Sequence, residues 1–308
     1  MLARIAQELF WLGRNLARAE ATARLLDGVF QADLQGRPDD PSATRLGWDS
    51  LMHIMGGQRN GVPARRDAVL DALTHDRDNP ASVVACVARA REGAQAVRDV
   101  ISAEMWEAIN TTHLRLRDGE LTTRPHSGPY SIYQHVKERS ALFWGLTGRT
   151  MLRDEASAFL SAGGRIESGD MVLRMLRVAL PVGDEGDSAD GQAIALLQAV
   201  GGFQAYRRAV PAPAHAKPVA RFLLFERSYP DSVAAAVDAV NGALKTADGS
   251  PRSSEPILRL SRLSADLEFR RSAESDADLR VTCQEVQREL GKVDADIAQR
   301  YFGGARAA

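Results

Sequence analysis

Cysteine is nearly absent. Cys86 and Cys283 are the only two in 308 residues, too few for a disulfide framework, and no CxxC or Cys/His spacing suggests zinc. Lysine is scarce as well, with four (Lys137, Lys217, Lys245, Lys292) among 39 basic residues. A GC-rich genome accounts for such a bias, and arginine's rigid fork for carboxylate and phosphate is what the bias supplies chemically. Aromatic residues make up 6%, so aliphatic side chains do most of the packing. The formal net charge is −1, which leaves no field to attract nucleic acid or an anionic membrane. No run approaches the roughly 18 apolar residues of a membrane span. The opening MLARIAQELFWLGRNLARAE is amphipathic and charged throughout, without the apolar block of a signal peptide. A reduced cytoplasm is the expected location, and no cofactor is expected.

What remains is ordinary globular material, 44% hydrophobic and 26% charged, long enough for one large domain or two of about 150 residues. Thirteen prolines leave free stretches at 1–37, 81–124, 130–180 and 257–308. Because proline costs about 3 kcal/mol inside a helix, these stretches are where long helices fit. Leu9, Leu12, Leu16, Ala19, Ala23, Leu26 and Phe30 recur at steps of three and four, one face of a helix. Val83, Val87, Ala90, Ala94, Val97, Ile101, Glu104 and Ala108 repeat the pattern, as do Leu279, Cys283, Val286, Leu290, Val293 and Ile297, with Tyr301 one turn later. Alternating two-residue patterns are nearly missing; only the run Phe222–Phe225 has strand character. The spacing predicts an all-α, multi-helix bundle.

Turn-forming residues collect at 35–41, 55–63, 118–129, 181–191, 210–218 and 247–256. Asn79-Pro80 marks a helix start, with Ser82 sharing the cap. The acidic GDEGDSADG lacks the ligand positions and terminal glutamate of a calcium loop and reads as a solvated loop.

An offset of 150 residues aligns the chain with itself. Met1-Leu2 meets Met151-Leu152, Ala6 meets Ala156, Gly13 meets Gly163, and Arg24 and Leu26 meet Arg174 and Leu176. Glu20 faces Asp170, while Leu9, Leu16, Ala23 and Leu25 face Phe159, Ile166, Leu173 and Met175. The expectation is one domain, 1–308, of two related halves, 1–125 and 140–308, packed together.

Some polar residues sit where packing alone would choose otherwise. Glu104 falls on an apolar stripe between Ile101 and Ala108, and Arg91 and Arg98 flank that stripe. Arg14 and Arg18 share a face, as do Glu20 and Arg24; Glu167, Asp170 and Arg174 occupy comparable flanks in the second half. Two readings compete. Either these groups form a salt-bridged network that fixes helix register, since unpaired charges at a bundle seam cost about 3–5 kcal/mol. Or the guanidinium forks converge on a cleft and hold a carboxylate or phosphate, with a glutamate taking an amine or proton.

Other chemistries are poorly represented. Gly163-Gly164 lacks the lysine and spacing of a phosphate loop, no GxSxG elbow is present, and neither cysteine has a histidine near it in sequence. Cys283, on its apolar stripe, reads as an inert buried thiol. His135 and Glu138 share a helical face but fall short of a di-iron set. His126, in RPHSGPY, reads as turn chemistry rather than function.

At these residues the chain resembles a known family, the bacterial alpha-E domain proteins, all-helical and named for a Glu-Arg motif. The resemblance is carried by MLARIAQELFWLGRNLARAEATARLL, NPASVVACVARAREGAQAVRDVISAEMWEAIN, FWGLTGRTMLRDEASAFL with GRIESGDMVLRML, and QAYRRAVPAPAHAKPVARFLLFERSYPDSV. The terminal ILRLSRLSADL and YF also fit. The chain departs from the family at the motif itself, with Ala17-Arg18 in the first helix and Glu167-Ser168 in the repeat; Gly93 stands where the family tends to have asparagine.

The resemblance implies an accessory component encoded beside ATP-grasp proteins and transglutaminase-like peptidases, acting in amide-bond or peptide-modification chemistry. It brings no catalytic assignment. Carried over as a candidate polar cluster are Arg14, Arg18, Glu20, Arg24, Arg91, Glu92, Arg98, Glu104, Arg153, Glu155, Glu167 and Asp170.

Three functions follow as expectations. In the first, a helical binding protein partners an ATP-grasp-type ligase, with a transglutaminase-like protein as a further partner, and presents a small anionic or peptide substrate, with neither nucleic acid nor membrane involved. In the second, the protein is an enzyme using Glu104 or Glu167 as acid/base with arginines steadying an oxyanion. In the third, it is a helical scaffold, recognisable by arginines that pair fully among themselves and leave no pocket.

Overall fold

The computed structural model describes residues 1–34, 47–56, 65–119, 130–179, 186–272 and 279–303. Among them are thirteen α-helices, one 3-10 turn and no strand, which meets the all-α expectation. The first six helices are α1 (Ala3–Leu34), α2 (Trp48–Ile54), α3 (Arg66–Thr74), α4 (Val83–Ala96), α5 (Ala103–Arg117) and α6 (Tyr130–Thr150). Then come α7 (Glu155–Ala179), α8 (Gly186–Ala199), α9 (Phe203–Ala209), α10 (Ala216–Phe225), α11 (Val233–Ala247), α12 (Glu255–Ser272) and α13 (Leu279–Tyr301).

Two long helices, α1 and α7, form the axis and share the most extensive contact in the molecule. Helices α4 and α6 flank α1, and α5 spans the gap between them; α11 and α13 flank α7, and α12 spans those two. The axis helices touch backbone to backbone. A Cβ on Gly13 would collide with the carbonyl oxygen of Leu160, and one on Gly163 with the carbonyl of Phe10. Close approach, rather than a turn, is what requires glycine at both positions. At the crossing α1 is buried all round, from Leu12 to Ala17, and α7 carries buried residues on every side. A helix buried all round belongs at the centre of a bundle.

The stretch read as one helix from Val83 to Ala108 is in fact two, α4 and α5, separated by a turn at 97–102. Val97, Val100 and Ile101 are β-branched and stiff in a helix, and Ser102 starts a new one by accepting the Met105 N–H at 3.3 Å. Ser82 and Ser232 cap α4 and α11 in the same way, accepting from Ala85 and Ala235, each at 3.1 Å. The cap of α4 is therefore Ser82, while Asn79 accepts from Ala81 N–H at 3.0 Å and shapes the turn before it.

Phe222–Phe225 belongs to α10 and is helical, not extended. All four residues are buried, and a fully buried helix segment shows no period by which to tell it from a strand. Helix α8 begins at Gly186, inside the stretch read as a loop. Helix α6, starting at Tyr130, packs on α1 and α5. His126 lies outside the described residues, and no helix among those described is long and apolar enough to cross a membrane.

Candidate functional site

The α1–α7 crossing gathers four charged side chains. The Arg18 Nε–H and Nη2–H donate to the two oxygens of Glu167 at 2.6 and 2.9 Å. Arg14 Nε–H donates to Glu167 Oε2 at 2.9 Å, and its Nη1–H to Asp294 Oδ1 on α13 at 2.7 Å. Arg14 also lies over the Trp11 ring, 4.9 Å from its centroid. Glu167 is 1% exposed. Burial pushes its carboxyl up, but the Arg14 and Arg18 charges outweigh burial and hold it below the usual range. Burial likewise works against the charge of both arginines, and Glu167 more than restores it. A carboxylate with depressed pKa, its oxygens taken by three guanidinium N–H groups, is poorly suited to abstract a proton. The geometry is that of a structural ion-pair cluster.

Two further pairs lie one turn along each axis helix. Arg24 donates to Glu20 Oε1 from Nε (3.0 Å) and Nη2 (2.8 Å). Arg174 donates to Asp170 Oδ2 at 2.7 Å, and Asp170 Oδ1 also accepts from Gln287 at 2.7 Å.

The rest of the candidate cluster lies elsewhere. Glu104 is in the first turn of α5, exposed, and so is not on the seam; the turn at 97–102 broke the register that placed it there. Arg91 is half-buried and donates to Asn110 Oδ1 at 2.9 Å. Arg98 is exposed and lies 5.0 Å from the centroid of Trp106. Glu92 and Arg153 are exposed. Glu155 pairs with the Met1 amino group at 2.7 Å. Of the twelve candidates, then, the crossing unites Arg14, Arg18 and Glu167, with Glu20, Arg24 and Asp170 beside them.

Other polar groups do not assemble into a site. Cys86 is fully buried and its thiol is pushed up to about 12 by that burial, against the pull of Arg18. His135 is buried with no partner for Nε2 among the described residues, whereas Glu138 accepts from Gln134. Among the described residues no group of three or more metal-binding side chains is placed to hold an ion.

Next to the ion-pair cluster, a cavity of about 430 Å³ opens where α1, α6 and α7 meet the end of α8 and the turn before α11. Ala17, Glu20, Ala21 and Arg24 face it from α1, Trp144 and Thr147 from α6, and Ser161, Gly164, Arg165, Ser168, Met171 and Met175 from α7. Pro230 and Asp231 close one edge, where Arg165 Nη1–H donates to the Pro230 carbonyl at 3.0 Å and to Asp231 Oδ1 at 3.2 Å. Sequence reasoning reached Glu20 and Arg24 but missed Trp144, Arg165 and Asp231. For Asp231 the available signal was the likeness of Pro80-Ala81-Ser82-Val83 to Pro230-Asp231-Ser232-Val233, at the same offset of 150; Trp144 and Arg165 carried none. A smaller recess beside Arg174, Arg177 and Arg280 has engaged donors: Arg177 on Gln287 at 2.5 Å and Arg280 on the Arg177 carbonyl at 3.1 Å.

The fold and the cluster together define an all-α bundle held at its central crossing by an arginine–glutamate pair. The chain belongs to the Alpha-E family, described as a predicted alpha-helical domain with a conserved ER motif, whose model matches residues 1–302. It is similar to "Uncharacterized protein Rv2567" of Mycobacterium tuberculosis (strain ATCC 25618 / H37Rv) and to "Uncharacterized protein Mb2597" of Mycobacterium bovis (strain ATCC BAA-935 / AF2122/97). Each is 24% identical over 314 residues, covering 96% of this chain and 35% of the relative. The chain thus spans about a third of the length of these curated relatives. No solved structure matches it.

Proposed function

We propose that this protein is a helical accessory and binding component of an ATP-grasp-type amide ligase, holding an anionic or peptide substrate in the cavity beside the α1–α7 crossing, in the cytoplasm. One observation carries the binding half of this reading. Arg24 and Arg165 line the cavity, whereas Arg14 and Arg18 do not; each lining arginine is held by a carboxylate at the edge, Glu20 or Asp231, and keeps N–H groups with no hydrogen bond among the described residues. A pocket of apolar walls with a few polar groups at its edge is the usual form of a small-ligand site. The ligase, and a transglutaminase-like protein as a further partner, rest on the family resemblance alone.

Co-expression with an ATP-grasp-type ligase from the same genome tests the reading. The expected result is a complex that survives purification and a ligase whose turnover rises when this chain is added. Absence of a complex, with ligase turnover indifferent to this chain, overturns it.

A scaffold role is the second reading, and the closed pairing of Arg14, Arg18, Glu167 and Asp294 favours it. The cavity is what separates the two, since a pure scaffold has no use for it.

A further inference from the structure

We propose that the cavity is the vacated counterpart of the ion-pair cluster, and that it receives an apolar amino acid or the end of an apolar peptide. The proposal rests on reading the cavity as the substrate site and adds the chemistry of the ligand.

The argument begins at the crossing glycines. Gly13 lies on the Leu160 carbonyl and Gly163 on the Phe10 carbonyl, so residues 150 apart exchange roles, as across a two-fold axis. The helices around them exchange roles too: α4 and α6 on α1, α11 and α13 on α7. The same offset maps the cluster onto the cavity. Trp11, Arg14 and Arg18 correspond to Ser161, Gly164 and Ser168, and Glu167 corresponds to Ala17. On one side of the axis four large side chains fill the space; on the other stand two serines, a glycine and an alanine. Only Trp144, the counterpart of Asp294, is larger, and its ring lies against Gly164 where any Cβ would obstruct it. Both arginines and both carboxylates of the cluster are without counterparts there, so no buried charge is left unpaired.

The chemistry of the walls follows. Ser168 Oγ donates to the Gly164 carbonyl at 3.1 Å and Thr147 Oγ1 to the Phe143 carbonyl at 2.9 Å. Those two hydroxyls are thus turned onto their own helices, so that Ser161 is the remaining hydroxyl of the lining and Trp144, Met171, Val172 and Met175 supply its apolar surface. At the edge, Glu20–Arg24 and Arg165–Asp231 each offer spare N–H donors beside a carboxylate. Such an edge suits a group with both a carboxylate and an N–H, whereas a polyphosphate would meet two carboxylates.

Calorimetric titration of the full chain with leucine, Leu-Leu, N-acetyl-Leu-Leu-amide and tripolyphosphate tests this. Leu-Leu or leucine is expected to bind, the blocked dipeptide at least tenfold more weakly, and tripolyphosphate not at all. Leu-Leu tenfold tighter than leucine assigns a peptide end; equal affinity assigns the free amino acid. The double variant A17E/S168R, which rebuilds the pair and fills the space, is expected to keep its Tm and lose binding. Arg165→Gln, at the exposed edge, provides a variant with the fold intact and is expected to weaken binding at least tenfold. No binding of leucine or Leu-Leu at millimolar concentration, preference for tripolyphosphate, or unchanged binding in Arg165→Gln overturns the proposal. The ligase complex is measured separately, so failure here is distinct from failure of the accessory role.

Discussion

Arg18 and Glu167, 149 residues apart, are joined by two hydrogen bonds across the central helix crossing. Ala17 precedes Arg18 on α1 and Ser168 follows Glu167 on α7, so neither residue has its partner beside it in sequence. The ion pair forms between the two helices, near the point where their backbones touch. Arg14 secures the same carboxylate and ties it to α13 through Asp294.

Removing either partner should be costly, and unequally so. Glu167→Ala leaves the half-buried Arg18 without its carboxylate and Arg14 with Asp294 alone, whereas Arg18→Ala leaves Glu167 still held by Arg14. Breaking a buried pair costs about 3–5 kcal/mol, with Glu167→Ala expected at the upper end and Arg18→Ala at the lower. Urea unfolding of the two variants provides the comparison, and the reverse order would contradict the geometry.

The crossing glycines should tolerate no side chain. In Gly13→Ala or Gly163→Ala the new methyl meets backbone, which has nowhere to go, so a loss of at least about 3 kcal/mol is expected, the upper end of overpacking costs. Gly242→Ala in α11 is the control. Nothing lies within 4 Å of its Cβ position, and alanine's helix preference should add about 0.5–1 kcal/mol. Thermal melts that rank all three alike would refute the backbone contact.

Two groups should set the acid limb of stability. Burial, with Arg115 and Arg139 nearby, lowers His135 from 6.5 to about 4, opposed only weakly by Glu138. The unfolded chain therefore binds the proton first, and stability present above pH 6.5 declines as pH falls toward 4. His135→Phe should flatten that window. Glu167, lowered from 4.5 by its arginines despite burial, adds stability that is complete above pH 4.5 and disappears as pH falls through its depressed value. Denaturation midpoints from pH 8 to 3 would reveal both, and an unchanged slope in His135→Phe would rule out its share.

Glu104→Gln should change little, since an exposed side chain away from any pair shifts stability within about 0.5 kcal/mol. Retained binding of the ligand and an unchanged Tm are expected. Loss of function in a stable Glu104→Gln protein would restore the catalytic role that its position on α5 argues against.

The helices themselves were legible in the sequence because burial of one face imposes a period that survives in a single chain. Ser82 and Asp154 show how ends are marked by short polar groups: Asp154 Oδ1 accepts from the Ala156 and Ser157 N–H groups, separating α6 from α7. The break between α4 and α5 was less legible, because Val97, Val100 and Ile101 kept the apolar spacing running through a turn. That false continuity is what carried Glu104 onto a seam it does not occupy.

The sequence by itself determined the all-helical class, the scarcity of reactive thiols and the presence of arginine and carboxylate on the faces of α1 and α7. It did so because periodicity and composition are local properties. Which arginine met which carboxylate was decided only by tertiary structure. A helix face says that a charge points inward, but its partner is set by the angle and depth at which a second helix, more than a hundred residues away, crosses it. The close approach at Gly13 and Gly163 sets that depth, bringing Arg18 onto Glu167 and leaving space between Ala17 and Ser168.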